Sequence, residues 1–399
     1  MTMRTIAVVL FSLCAMTATL GTEVSEADQK YIDKFLAANP KVDPPAPLES
    51  FATPAQFDAR FMGTDLDNAI ANASNDQGGL AWGGSYWMMA LNDMYRATKD
   101  AKYLAANLRL IQAALAATDD KRGKKLWWGA VVPAWGCDIY AKRGRALFAV
   151  HTGIITAPMF EFLLLAKEDP AFKESLGGQA QSIIDGASAA LATHERQWRD
   201  GPSSGEGHYI GMDQEEVCEN KPLPGNRLSA MGWALWNSWK VTGNEVHRDR
   251  AKAIGYYIKN RLTPSPDGAY YWPYWLPEAA VTKPQPREAI EGEDASHASL
   301  TIALPLALAA DGEVFTREDL ERLAKTVTNG IGRLGGGILV SRITGTTELE
   351  PSYIGQATNW LPLATVNPAV KDTILAFYQN YKPNPGPSDL ATLIVTTAK

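Results

Sequence analysis

Residues 84–116 read GSYWMMALNDMYRATKDAKYLAANLRLIQAALA, and this stretch decides the fold. Tyr86, Trp87, Met89, Ala90, Leu91, Met94 and Tyr95 recur at helical spacing. A short break, Thr98-Lys99-Asp100, follows, and a second helical pattern runs over 103–116. The same unit returns 144 residues later: a helix over 231–241, the break Thr242-Gly243-Asn244, and a helix over 246–262. In this register Tyr95 falls on Trp239 and Thr98 on Thr242. Two looser copies are 154–166, with its break near Asp169-Pro170, and 300–310, with its break at Asp311-Gly312.

Recurrent helical hairpins with short breaks mark an array whose units bury one another. The 154–165 stretch is apolar nearly all round, and such a helix must be covered on most sides. Inner helices ringed by outer ones satisfy both facts. At roughly 50 to 60 residues per hairpin with its loop, the chain holds about six or seven units. The expected fold is therefore all-α, an (α/α)6 or (α/α)7 toroid with minor short β-hairpins. The best strand signal is GILVSRI, 337–343, expected as a short hairpin on one rim. Alternating β-branched runs are too scarce for a two-domain α/β chain.

The 399 residues are 46% hydrophobic and 21% charged, which excludes a disordered or collagen-like chain. With 38 Lys+Arg against 44 Asp+Glu the net charge is -6, so a nucleic-acid partner is not expected. Arg4, the apolar run 6–13 and small residues at Ala15, Ala18 and Gly21 read as a secretory leader over 1–21. Residues 22–60 read as a helix followed by a Pro-rich arm, and 61–399 as the catalytic toroid. The expected setting is periplasmic or secreted, as a monomer without a membrane span. Cys14 leaves with the leader; Cys137 and Cys218 permit one disulfide without proving it. The five His are scattered and no Cys-x-x-Cys occurs, so no metal and no cofactor are expected.

Twelve Trp and 14 Tyr exceed 11 Phe, a balance that suits rings stacking on polar partners such as sugars. Loops dense in rings and charges include Trp127-Trp128-Gly129, His151-Thr152-Gly153, 215–227, YYWPYW at 270–275 and EGEDASH at 291–297. Gly201–Gly205 matches a nucleophile-elbow pattern but lacks the strand before it, so a surface turn is expected. Glu293 and Asp294 open a helix, with His297 one turn on; Glu215 and Glu216 form a second acidic pair. Two such carboxylates across a sugar would make an inverting hydrolase, Glu293 or Asp294 as acid and Glu216 as base. Tyr274 suggests a different chemistry. A tyrosine whose pKa is lowered by nearby positive charge takes a proton from carbon and returns it to a leaving oxygen. This is β-elimination on a uronic acid, whose carboxylate must be neutralised by donors; His151, Asn226 and Arg227 are the candidates. In glucuronate and mannuronate the C5 hydrogen and the C4 oxygen share a face, so one tyrosine serves as base and acid. Trp82, Trp128 and Trp272 are candidate stacking platforms, with Glu293 and His297 supporting the cleft.

LPGNRLSAMGWAL (223–235), YYWPYW, and above all EDASHASL (293–300) followed by FTREDLERLAKT (315–326), resemble bacterial uronate lyases with (α/α) toroid folds. The nearest resemblance is to polysaccharide lyase family 38, over roughly residues 80 to 365. The resemblance implies cleavage of glucuronan or alginate, with a tyrosine as base and acid and His, Glu and Arg holding the substrate carboxylate. On matching positions these are Tyr274, His151 and Glu216. The chain departs from the family at Gly225-Asn226-Arg227, where a Tyr-Asn-Gln-like triplet is expected. The expected function is a lyase acting on a β-1,4-linked uronan, an anionic polysaccharide. The alternatives are the inverting hydrolase, a non-catalytic periplasmic glycan-binding protein and a C5-epimerase.

Overall fold

The computed structural model describes residues 24–212 and 218–398; the expected leader and Glu216 lie outside the described residues. The main helices are α1 (Glu26–Ala38), α2 (Ser85–Thr98), α3 (Ala101–Ala116), α4 (Ala149–Ala166), α5 (Gln179–Ala192), α6 (Gly225–Thr242) and α7 (Glu245–Lys259). They continue with α8 (Ala295–Thr301), α9 (Ala303–Ala310), α10 (Arg317–Lys325), α11 (Ala369–Tyr381) and α12 (Pro387–Thr397).

The two breaks matched in sequence have the same turn chemistry. Lys99 and Gly243 both take the left-handed conformation, at φ 56 and 73. Thr98 and Thr242 each accept the N–H two residues on, at 3.2 Å in both turns. Asp100 and Asn244 then cap the next helix through the backbone N–H groups of Lys102 and Val246, at 2.9 and 3.1 Å. Each break thus stops one helix and starts the next, which folds the pair into a hairpin.

The hairpins close into a ring. Among the described residues the inner wall runs α12, α2, α4, α6, the consecutive α8 and α9, and the tight turns Ala357–Thr365, which contact α12 again. Helices α3, α5, α7, α10 and α11 back this wall from outside. The short helix Pro54–Phe61 packs on α12, so the sixth hairpin joins the two ends of the chain. That helix spans the boundary read at residues 60 and 61. The architecture is the (α/α) toroid, with six units among the described residues.

Helix α4 is the most enclosed: nearly all its residues from Ala149 to Ala166 are buried. By length and composition it is apolar enough to cross a membrane, yet 89% of it is buried within the ring. This is how an all-round apolar helix is accommodated in an inner wall. Among the described residues the β structure, isolated bridges apart, is two small hairpins, β1 (Trp198–Asp200) with β2 (Gly207–Tyr209) and β3 (Thr263–Pro264) with β4 (Tyr270–Tyr271). The Gly201–Gly205 segment is the turn between β1 and β2. The stretch 337–343 is not the expected hairpin. Gly335, Gly336 and Gly337 all take positive φ, and a single bridge from Arg342 to Asp294 is its only ladder contact.

Candidate active site

The first turns of the inner helices open on one cavity of about 360 Å³. Its wall includes His151 at the start of α4, Asn226 and Arg227 at the start of α6, and His297 at the start of α8. Tyr274, on the loop after β4, and Trp82, in the wide turn before α2, complete it. Residues distant in sequence therefore converge because each inner helix begins at the same mouth.

Among the described residues no carboxylate lines this cavity. The guanidinium of Arg227 and the positive ends of α4 and α6 face it. The arrangement favours an anion there.

His151 is buried, with the rings of Trp82, Phe148 and Tyr140 at 5.3, 5.1 and 5.8 Å. Burial, with Arg227 and His194 as neighbours, pushes its pKa down to about 3, so the ring is neutral. The Asn75 amide fixes its tautomer. Asn75 Oδ1 accepts the Ala81 N–H at 3.1 Å, which turns its Nδ2 donor toward His151 Nδ1 at 3.0 Å. Nδ1 is therefore an acceptor, and the ring's proton sits on Nε2 as a donor. His151 is thus available as a neutral N–H donor.

Asn226 is 2% exposed, and its Oδ1 is buried without a partner among the described residues. His297 packs its ring at 5.2 Å from that of Tyr274. Asp294 accepts both the His297 backbone N–H at 3.0 Å and Nδ1 at 2.6 Å, so it caps α8 and orients the ring together.

Tyr274 receives a hydrogen bond from Arg227. Burial raises its pKa and outweighs the lowering by Arg227. The expected lowered phenol is thus corrected: burial wins, and Arg227 limits the rise. Tyr271 donates to Asp267 at 2.8 Å, and Tyr209 is buried against Trp198 at 5.3 Å, so neither competes with Tyr274. Tyr86 and Tyr140 also line the cavity, but the guanidinium bond belongs to Tyr274.

Other candidates fall elsewhere. Trp272 is 0% exposed and donates to Glu293 Oε2 at 2.5 Å, so it is no stacking platform. Glu293 is 1% exposed and also accepts from Thr301 at 2.8 Å; burial raises its pKa well above the usual carboxylate value. It is an internal acid behind the wall and does not line the cavity. Trp128 is exposed but not part of the cavity lining, whereas Trp82 is both exposed and lining. Cys137 and Cys218 are buried and form no disulfide, which answers the disulfide question. Among the described residues no group of three or more His, Cys, Asp or Glu side chains forms a metal site. Sequence reading missed Asn75 and Tyr140. Asn75 had a faint signal, an Asx-type residue in a Gly-rich turn ahead of a helix.

Comparison with protein-family models and with curated proteins returns no match. The resemblance to lyase family 38 therefore gains no support beyond the fold. Solved structures share the toroid. A cellobiose 2-epimerase from Bacillus thermoamylovorans B4167 aligns at TM-score 0.50 and 10% identity, over 81% of this chain and 88% of that one. An inactive variant of the α-1,6-mannanase GH76A of Salegentibacter sp. HEL1_6 aligns at TM-score 0.46 and 14% identity, over 84% and 96%. A D-mannose isomerase aligns at TM-score 0.46 and 14% identity, over 87% and 98%. The chain has the (α/α) toroid fold.

Proposed function

We propose that the chain is a polysaccharide lyase that cleaves a β-1,4-linked uronan, glucuronan or mannuronate-rich alginate, in the periplasm or outside the cell. One observation carries this reading: a single cavity, lined by no carboxylate among the described residues, joins Tyr274 and Arg227 to the donors of Asn226 and His151.

In this mechanism the Asn226 amide, the His151 Nε2–H and Arg227 hold the carboxylate of the uronate. Their donors stabilise the charge that develops on it as C5 loses its proton. The Tyr274 phenolate takes that proton. The electron pair forms the C4–C5 double bond, the C4–O bond breaks, and the Tyr274 phenol returns the proton to the leaving oxygen. Trp82 offers its exposed ring to a sugar face.

The second reading is a glycoside hydrolase, as the mannanase among the structural neighbours is. It requires two carboxylates at the sugar. Glu293 is buried behind the wall and Asp294 is engaged as a helix cap, so its remaining acids are those at 213–217, outside the described residues.

The test is a screen of purified protein on glucuronan, polymannuronate, polyguluronate and pectate, read at the near-ultraviolet absorbance of unsaturated uronates. Tyr274→Phe is expected to lower that signal by about 10²- to 10⁴-fold. New reducing ends without the absorbance support hydrolysis instead. Binding without bond cleavage supports a glycan-binding protein, and altered uronate configuration at constant chain length an epimerase.

A further inference from the structure

The chain is acidic overall, yet residues 119–145 carry seven cations against three carboxylates, a net +4 in a chain of -6. The internal acids there are already satisfied. Arg145 pairs with Asp119 at 2.5 Å and with Asp138 at 2.9 Å. Arg122 and Lys124 converge on Asp76 at 2.6 and 2.7 Å. Lys125, Lys142 and Arg143 stand exposed beside them. So do Trp127 and Trp128, at 36% and 40% exposure, with their rings 5.5 Å apart. The Arg143 guanidinium lies 5.1 Å over the Trp127 ring.

The two loops form one framework. The Trp127 N–H donates to the Arg145 carbonyl at 2.9 Å, and Cys137 and Ala146 exchange hydrogen bonds at 2.8 and 2.9 Å. The framework is continuous with the cavity on two sides. Tyr140, of the second loop, lines the cavity. Arg143 reaches Glu219 at 3.9 Å, and the neighbouring Cys218 sulfur lies 3.9 Å from Arg227 of the cavity wall.

We propose that loops 121–129 and 138–145 form a distal binding site for a carboxylated polysaccharide, extending the cavity along its rim. The inference rests on the lyase reading for the identity of the ligand. The indoles of Trp127 and Trp128 present faces for pyranose rings, and Lys125, Lys142 and Arg143 are placed for their carboxylates. A long uronan held in the cavity meets this second site intramolecularly; a short one does not reach it.

The test compares Trp127→Ala and the double variant Lys142→Gln/Arg143→Gln with the wild type. All five exposed side chains lie outside the core, and circular dichroism checks that the variants fold. Polyglucuronate and a uronic trisaccharide serve as substrates. Gel retardation is run with polyglucuronate, a neutral glucan and duplex DNA. The expected result is a KM for the polymer raised about tenfold, with kcat and trisaccharide kinetics unchanged. Retardation by polyglucuronate is expected to weaken in parallel, with little retardation by glucan or DNA. An unchanged polymer KM alongside intact elimination overturns the distal site and leaves the lyase reading standing. Equal losses on polymer and trisaccharide, or equal retardation by DNA, also overturn it. Should the wild type form no unsaturated product, the lyase reading fails, and the site stands or falls on polyglucuronate retardation lost in the variants.

Discussion

The amide of Asn75 donates to Nδ1 of His151 at 3.0 Å, and its own oxygen is held by the Ala81 N–H at 3.1 Å. A residue that touches no ligand thus dictates which His151 nitrogen carries hydrogen. Asn75→Asp reverses this. A carboxylate oxygen facing Nδ1 accepts, so the ring proton moves to Nδ1, or the ring becomes charged as its pKa rises. In the neutral ring Nε2 then ceases to donate toward the substrate carboxylate. We expect kcat/KM to fall by about 10²- to 10³-fold, the scale for losing one transition-state donor. The Trp135 carbonyl, 3.2 Å from the Asn75 amide nitrogen, loses its donor as well, at a cost of about 1–3 kcal/mol. Nitrogen chemical shifts of His151 report the tautomer directly. An unchanged tautomer in the variant refutes the lock.

Arg227 and Tyr274 predict the pH profile. In the proposed mechanism the phenol acts as base only when ionised, and burial raises its pKa while Arg227 opposes the rise. Elimination should therefore increase with pH through the alkaline range. Arg227→Gln removes the opposing charge, so the rising limb moves to higher pH and activity at neutral pH falls by about 10²-fold or more. A pH–rate profile of both proteins decides this. A limb that stays in place in Arg227→Gln assigns it to another group.

The toroid was legible because helical hairpins repeat their turn chemistry at Thr98–Asp100 and Thr242–Asn244, where caps and left-handed residues are written in local sequence. The convergence of His151, Asn226, Arg227 and His297 was legible for the same reason: each opens an inner helix. The YYWPYW run was read less well. A regular strand would put Trp272 and Tyr274, two residues apart, on one face. The strand instead ends at Tyr271 and the chain bends at Tyr274 and Trp275, so Trp272 turns into the core while Tyr274 lines the cavity. Burial likewise set the direction of the Tyr274 shift, and burial is a property of the closed ring rather than of nearby residues in the chain.

Glu293 offers a test that also separates the two chemistries. Its folded-state pKa lies well above the ordinary value of 4.5. The stability from its buried protonated form is complete below the unfolded value and is lost as pH rises through the folded one. Glu293→Gln stays neutral and keeps an acceptor for Trp272 and Thr301, so the melting temperature should depend less on pH above the ordinary value of 4.5. Glu293→Ala removes that acceptor and should cost about 1–3 kcal/mol at acid pH, a cost that shrinks as pH rises. The Gln variant should keep most lyase activity, because Glu293 does not line the cavity. Abolished turnover in a stable Glu293→Gln protein would favour the hydrolase, in which this residue is the acid.

Gly153 lies at the close contact between α4, which carries His151, and α6, which carries Asn226 and Arg227. A Cβ at this position would lie 2.6 Å from the Ala230 carbonyl carbon and 2.7 Å from its oxygen, backbone atoms of α6 that cannot rotate away. Alanine gains up to about 1 kcal/mol in helix propensity over glycine. Overpacking a close helix contact costs about 1–3 kcal/mol, and here the obstacle is main chain, so the clash wins. Gly153→Ala should therefore destabilise the protein. It should also reduce kcat/KM, because parting α4 from α6 separates His151 from Asn226 and Arg227. Gly83→Ala is the control, since a Cβ there meets nothing within 4 Å and its stability should be unchanged or improved. Thermal melts and denaturant titrations of the two variants, with turnover at one substrate concentration, decide the matter. A Gly153→Ala protein as stable and active as wild type would mean that the inner helices are not locked at this contact, and the rigid placement of the donors would have to come from elsewhere in the ring.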